Sequence, residues 1–487
     1  VSQKQSVLER YPEYEAVIGI EVHTQLTTES KIFSSGANGT SETPNAHIDP
    51  TCAGFPGALP VVNEKVVEFA LMAGCATESE IARQCHFDRK HYFYPDLPKG
   101  YQITQDRRPI CTSGTVPIRL ADGTHKNIQL KRIHMEEDAG KSIHDAHPHK
   151  TYVDLNRAGT PLLEIVSEAD IRSPQEAQAY LKMLRLMVMQ CGICTGDMEK
   201  GAFRADSNIS VRKKGEQEFR TKCELKNINS FKFIGDALEY EIERHIKLHE
   251  QGKPVEQETR LWNTEQRKTV AMRTKEEAAD YRYFRDPDLT PIYIADSWIT
   301  HVRNSLPELP YQRYDRMRET YQLGHEEADM FMQDPALARY FEEARQHTSS
   351  SHVIKWLLRD VVAYLKEHKM DITNLHIRPK QLAQLMNLIE DETITTRIAK
   401  DVFDQMLESG KDPHTIVEEQ GLQQMQDTGE LENVIKEVID NNPQQVEAYK
   451  NGKEKLFGFF VGQAMKQTGG KADPQKVQEL IKKHLAS

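Results

Sequence analysis

Ile133-His134-Met135-Glu136-Glu137-Asp138-Ala139-Gly140-Lys141-Ser142 and, after a His-rich turn, Tyr152-Val153-Asp154-Leu155-Asn156-Arg157-Ala158-Gly159-Thr160-Pro161-Leu162-Leu163-Glu164-Ile165-Val166 make up the stretch that organises this chain. Apolar, strand-like pieces carry acids in their middles and at their ends, a poor way to build a plain core. A buried carboxylate costs several kcal/mol unless it is paired or bound to a cation. Glu136, Glu137, Asp138, Asp154 and Glu164 therefore suggest a hard cation, because carboxylate oxygens suit Mg²⁺.

Working outward, Ala16–Leu26 alternates. Ile18, Ile20, Val22 and Leu26 point one way, and Gly19, Glu21, His23 and Gln25 the other, which is the period of a strand. Phe203–Val211 sets Arg204, Asp206, Asn208 and Ser210 against Ala205, Ile209 and Val211. Thr221–Ile228 repeats the pattern with Glu224 and Lys226. Further strands are expected near Val116–Leu120, Asn127–Met135, Thr151–Asn156 and Leu162–Val166. Helices are expected near Asn63–Ala76 and from Ser173-Pro174 to about Gln190. A sheet with one buried face and one face of acids and cations is a site platform of α+β type.

At 487 residues the chain is too long for a single core. Its character changes near Asn304, where Leu306-Pro307-Glu308-Leu309-Pro310 reads as a linker and helical periods take over. A second break lies at Ser409–Pro413, and Asp473-Pro474 opens the last helix. The expected division is 1–304, 305–412 and 413–487. The net charge of −11 is unlike that of a nucleic-acid binder, but residues 443–487 carry eight lysines against four acids, a local charge of +4. A basic tail suits one module touching nucleic acid, and a solvated lysine-rich helix face explains it equally well. Seven scattered cysteines point to a reducing compartment, and no apolar run approaches the roughly 20 residues of a membrane span. The cytoplasm is the expected location, with an organelle matrix as the alternative.

Several motifs fail on inspection. Gly140-Lys141-Ser142 lacks the second glycine of a phosphate loop, Met135 standing in its place. Cys191-Gly192-Ile193-Cys194 has no partner pair for zinc. No nucleophile elbow or amidase-like run is present. Phe87–Tyr101 sets aromatic rings among cations, which fits an aromatic-pinned loop first and a stacking site for a nucleotide or a tRNA end second. What remains is Glu21, His23, Glu136, Glu137 and Glu164 as metal ligands, with Arg204 and Asp206 on a neighbouring polar face. A salt-bridged surface sheet accounts for these residue types equally well.

The combination breaks the tie. Ile18-Gly19-Ile20-Glu21-Val22-His23, His134–Lys141 and Asp154–Ile165 resemble the B subunit of the tRNA-dependent amidotransferases. So do Phe87–Pro95, Arg204–Ser210, Glu224–Phe231, Asp280–Phe284, Val446–Lys453 and Gly458–Lys466, so that the likeness covers essentially the whole chain. The resemblance implies a glutamine-synthetase-like antiparallel-sheet cradle domain, followed by an all-α domain and a small helical tail domain. It implies ATP-dependent phosphorylation of the side-chain carboxylate of Glu-tRNA(Gln) or Asp-tRNA(Asn), then amidation by ammonia. The implied partners are a glutaminase (the A subunit), a small C subunit and tRNA(Gln) or tRNA(Asn), with the cognate aminoacyl-tRNA synthetase as a further candidate. Carried onto this chain, the Mg²⁺ ligands are His23, Glu164 and one of the Glu136–Glu137 pair, with Glu137 chosen; Glu21 and Glu136 fall beside them as catalytic groups. Arg204, Asp206 and Lys141 are expected to face ATP, and Lys450, Lys453, Lys455 and Lys466 the tRNA. Some relatives carry a four-cysteine zinc knuckle in the early loops. Ser34, Ser35 and Asp49 stand near those positions here, leaving Cys52 alone, which argues against zinc.

Overall fold

Strand β1 (Tyr14–Gln25) occupies the middle of the sheet that builds the first half of the molecule. Its Ile18, Ile20 and Val22 are almost completely buried, while Glu21, His23 and Gln25 are half-buried on the opposite face. The alternation thus has a physical outcome: one face is core, and the other is polar and open enough to receive a ligand. The computed structural model describes residues 5–144, 147, 149–274, 280–424 and 428–486. The chain divides into two compact units, Val1–Arg313 and Tyr314–Ser487.

The first unit is a mixed α+β structure around a ten-stranded sheet. In chain order its strands are β1, β2 (Glu80–Ile81), β5 (Cys111–Thr112), β6 (Thr115–Arg119), β7 (His125–Glu137), β8 (Pro161–Ser167), β9 (Phe203–Lys213), β10 (Cys223–Ile228), β11 (Glu258–Asn263) and β12 (Lys268–Thr274). They lie in the order β12-β11-β10-β9-β1-β8-β7-β5-β2, with β6 also paired to β7. Every pairing is antiparallel except that of β10 with β11. Strands β3 (Asp88–His91) and β4 (Tyr101–Thr104) form a separate three-stranded sheet with β13 (Phe284–Arg285). Lys141–Ile143 pairs with Tyr152–Asp154 in a small hairpin, so the Gly140-Lys141-Ser142 sequence opens a strand rather than a phosphate-binding helix.

Helix α1 (Glu64–Ala76) packs on β7, and α2 (Pro174–Gln190) packs on β6 and on α3 (Phe231–Glu250), which in turn covers β9. Ser173 caps α2 by accepting from the Glu176 amide, with proline at the first helical position, as its sequence implies.

Among the described residues from Pro310 onward the regular elements are all helical. The second unit holds two apolar cores. One runs from Tyr314 to Val417 and includes Trp356, Leu357, Val361 and Leu382; the other runs from Leu431 to Leu485 around Phe460 and Ile481. Among the described residues no helix is long and apolar enough to cross a membrane.

Candidate functional site

Register brings the polar residues together. His23 on β1 lies opposite Glu164 on β8 and opposite Arg204 on β9, while Glu164 lies opposite His134 on β7. Side chains at directly paired positions stand on one face, so His23, Glu164, His134 and, two residues along β7, Glu136 converge. His23 Nε2 is 3.3 Å from Glu136 Oε1 and 3.4 Å from Glu164 Oε2. His134 Nε2 is 3.1 Å from Glu164 Oε2 and 3.6 Å from Glu136 Oε2. The Thr104 hydroxyl donates to Glu136 at 3.0 Å. His134 and Glu136 are buried, and His134 Nδ1 has no hydrogen-bond partner.

Glu137, chosen from the sequence as the third ligand, is not in this group. Strand β7 continues through Glu137 instead of ending near Met135, so Glu136 shares the face of His134 and Glu137 turns away from it. Glu137 is ion-paired with Lys99 and accepts from the Ile103 amide at 2.9 Å. Glu136, assigned a catalytic place beside the metal, takes the position expected of Glu137. Sequence reasoning misses His134 altogether, although its spacing to Glu136 is the same i, i+2 relation that singles out Glu21 and His23.

The electrostatics describe a cluster that holds protons. Burial opposes charge on His23, but its hydrogen bonds with Glu136 and Glu164 outweigh that and push it up to about 10. Burial also works against His134, whose pKa is nonetheless raised by Glu164 and Glu136. Burial alone would raise the carboxylates, yet the two imidazoles hold Glu136 and Glu164 well below the usual range. His23, Glu136 and Glu164 place one ligand atom each within 4.8 Å of one another. Among the described residues no lysine or arginine pairs with either carboxylate, so the charge facing them is carried by removable protons. One or two imidazoles and two carboxylates fit a six-coordinate divalent ion that keeps some water.

The neighbouring polar residues form a second group. Glu21 accepts from Asn208 Nδ2 at 3.1 Å, and burial together with Glu164 and Glu224 raises its pKa. Lys226 lies 3.1 Å from Asp206 and 2.9 Å from Glu224. Arg204 leaves its strand partner His23 and binds Asp138 at 2.8 Å, which Gln25 Nε2 also reaches at 3.2 Å. Lys141 is exposed on the separate hairpin. Lys450, Lys453, Lys455 and Lys466 are all exposed in the second unit.

The cysteines behave as small buried residues: all seven are free and buried. Where a zinc knuckle would need thiols, Ser34 donates to Asp49 at 2.8 Å. Burial and Asp49 push the Cys52 thiol up to about 12.

Residues 16–300 match the family of GatB/GatE catalytic domains, and residues 339–485 match a GatB domain. Among curated relatives, a protein of Syntrophotalea carbinolica is 50% identical over 97% of this chain and 98% of its own length. One of Geotalea daltonii is 50% identical over 97% and 99%, and one of Thermodesulfovibrio yellowstonii 48% identical over 97% and 99%. Each of the three is named as the B subunit of an aspartyl/glutamyl-tRNA(Asn/Gln) amidotransferase.

Proposed function

Because the chain belongs to the family of aspartyl/glutamyl-tRNA(Asn/Gln) amidotransferase B subunits, we propose that it carries out the ATP-dependent step by which misacylated Glu-tRNA(Gln) and Asp-tRNA(Asn) become Gln-tRNA(Gln) and Asn-tRNA(Asn). The observation that carries this reading is the meeting of His23, Glu136 and Glu164 from three adjacent strands on one polar face. A carboxylate is a poor acyl donor, since its leaving group would be oxide. A carboxylate oxygen of the substrate attacks the γ-phosphorus of ATP and ADP leaves. Ammonia then attacks the carbonyl carbon, and phosphate departs to leave the amide.

His23, Glu136 and Glu164 would hold Mg²⁺, which when bound neutralises the phosphates and the substrate carboxylate. His134, with Nε2 3.1 Å from Glu164 and 3.6 Å from Glu136, orients the two glutamates. Arg204, clamped to Asp138, presents a fixed positive charge on the same face, two strands from Glu164. Positioning and charge neutralisation then account for the catalysis. Residues 1–304 are assigned to this catalytic domain, of glutamine-synthetase-like cradle type, 305–412 to a helical domain and 413–487 to a tRNA-contacting tail. Ammonia comes from the glutaminase, or A, subunit, and a small C subunit completes the assembly.

The test uses the assembled complex. His23→Ala should abolish amide formation while leaving glutamine hydrolysis by the glutaminase intact. Unimpaired transamidation in that variant would remove the cluster from the mechanism.

A further inference from the structure

The loop after β3 and the segment before β13 meet beside the carboxylate cluster, and their rings form a ladder that the chemistry above leaves unused. The His91 amide donates to the Tyr281 carbonyl at 2.9 Å, which holds the two segments together. Ring centroids are 5.9 Å apart for Tyr92–Tyr94, 6.1 Å for Tyr92–Tyr281 and 6.0 Å for Tyr281–Tyr283, each pair edge to face. Lys90 Nζ lies 4.7 Å from the centre of Tyr281 and 5.8 Å from that of Tyr92. At the outer end Tyr94 is 56% exposed, and Phe93, the residue before it in the chain, is 85% exposed. Phe93 closes over Gly100, whose φ is +76° and where a Cβ would come within 3.1 Å of the ring.

A short relay ties this ladder to the cluster. Tyr92 Oη donates to Gln102 Oε1 at 3.2 Å, Gln102 Nε2 donates to the Glu137 carbonyl at 2.7 Å, and two residues along β4 Thr104 reaches Glu136. Burial, reinforced by Glu136 and Glu137, raises the Tyr92 hydroxyl pKa, in keeping with that proximity.

We propose that Tyr94, backed by Tyr92, Tyr281 and Tyr283 with Lys90 between them, and the neighbouring exposed ring of Phe93 form the platform on which the unpaired 3′-terminal bases of the tRNA acceptor end stack. The proposal rests on aminoacyl-tRNA being the substrate, and it names the residues that position it. The reacting carboxylate hangs from the terminal ribose, so the last base must lie close to the cluster. Single-stranded RNA is gripped by stacking on tyrosine and phenylalanine with cations interleaved. A small free nucleotide is normally enclosed over most of its surface, whereas Phe93 and Tyr94 stand open at a rim, as a strand entering from outside requires. A protein partner is disfavoured because a lysine sits among the rings, a residue depleted from protein interfaces.

Phe93→Ala and Tyr94→Ala remove exposed rings, and Tyr94→Trp restores one. They are compared in the assembled complex with a misacylated tRNA whose terminal adenine is replaced by 2-aminopurine. Stacking quenches the probe on binding to the unaltered complex. Each alanine variant should lose that quench and raise KM for aminoacyl-tRNA by roughly tenfold or more. KM for ATP and glutaminase activity should hold, and Tyr94→Trp should recover the quench. Unchanged quench and KM would overturn the proposal. So would a rise in KM for ATP alone, which would place the adenine of ATP on the rings, or a failure of the variants to assemble, which would place a protein chain there. An unaltered complex that cannot amidate either misacylated tRNA sinks the functional reading as well, whereas an active complex with silent variants sinks only the platform.

Discussion

Replacing either member of the Glu136–Glu137 pair by glutamine should produce opposite phenotypes from adjacent positions. Glu136 faces His23, His134 and the Thr104 hydroxyl. In Glu136→Gln the amide oxygen can still accept from Thr104, and the imidazoles, unlike a guanidinium, can give up their protons, so no fixed charge is stranded and folding should change little. The cation site loses one of its two carboxylates. Removing even an outer partner of a ligand typically costs about 10–100-fold in affinity, so losing the ligand should cost at least about 100-fold. Glu137 instead neutralises Lys99, with both side chains less than a tenth exposed. Glu137→Gln strands a buried ammonium, a loss of about 3–5 kcal/mol for a buried pair, reduced to about 2–3 kcal/mol if the lysine deprotonates. At roughly 2–4 °C per kcal/mol for a unit of this size, the melting temperature should fall by roughly 5–10 °C. Titration with Mn²⁺ followed by electron paramagnetic resonance gives the affinity, and thermal unfolding of the same samples gives the stability. Retained cation affinity in Glu136→Gln together with its loss in Glu137→Gln would refute the register argument outright.

Three further outcomes follow from the same geometry. His23 has a folded pKa of about 10, above the ~6.5 of a free imidazole, so its contribution to the stability of cation-free protein is full below ~6.5 and is lost as pH rises toward about 10. Cation binding needs the neutral ring, so Mg²⁺ affinity should rise between pH 7 and 9 with release of a proton, seen as a buffer-dependent heat in calorimetry; a flat profile would contradict the assignment. His134→Phe should weaken Mg²⁺ about 10–100-fold without touching the tail's tRNA affinity, since it removes the donor that orients Glu164, and unchanged Mn²⁺ binding would limit His134 to packing. Neutralising Lys450, Lys453, Lys455 or Lys466 singly should lower tRNA affinity and make its logarithmic salt dependence shallower by roughly one for each phosphate no longer neutralised; an unaltered salt slope would take that lysine off the tRNA.

Periodicity carries much of the first unit. Strands β1 and β9 are legible because fully and partly buried residues alternate along most of their length, from Ile18 to Gln25 in the one and from Phe203 to Ile209 in the other. Chemistry is less legible where the strand rule gives out. The run Glu136-Glu137-Asp138 is a poor strand former by composition, so composition ends the strand early and side-chain parity cannot separate the two glutamates. Pairing with Pro161 and Leu162 keeps the backbone extended through Glu137. Tertiary pairing overrides local propensity at Glu136 and Glu137. Sheet order lies beyond the sequence pattern for a related reason: β1 lies between β8 and β9, partners more than a hundred residues away. Alternation tells which residues share a face but not which strands share an edge. His134 shows the opposite failing, a signal that is present in the sequence and easily passed over.

A second histidine–glutamate cluster in the same unit shows why residue types alone do not define a cation site. Cys223, Glu241 and His245 lie as close together as His23, Glu136 and Glu164, and all three are buried. Yet Glu241 already has Arg244 at 2.8 Å and Arg260 at 3.0 Å. Burial would raise its pKa, but hydrogen bonds from His245 and Arg244 outweigh that and hold it at about 2. The Cys223 thiol is pushed up to about 11 by burial and cannot readily become the thiolate a metal needs. A guanidinium does not give up its proton, so a divalent ion entering that cluster would meet positive charge that cannot leave. Around Glu136 and Glu164 the compensating charge sits on imidazoles, whose protons an incoming metal can displace. The two clusters are alike in bringing three ligand atoms together and differ in whether their counter-charge can dissociate, and that difference favours the face of β7, β8 and β1 over the Glu241 network as the proposed cation site.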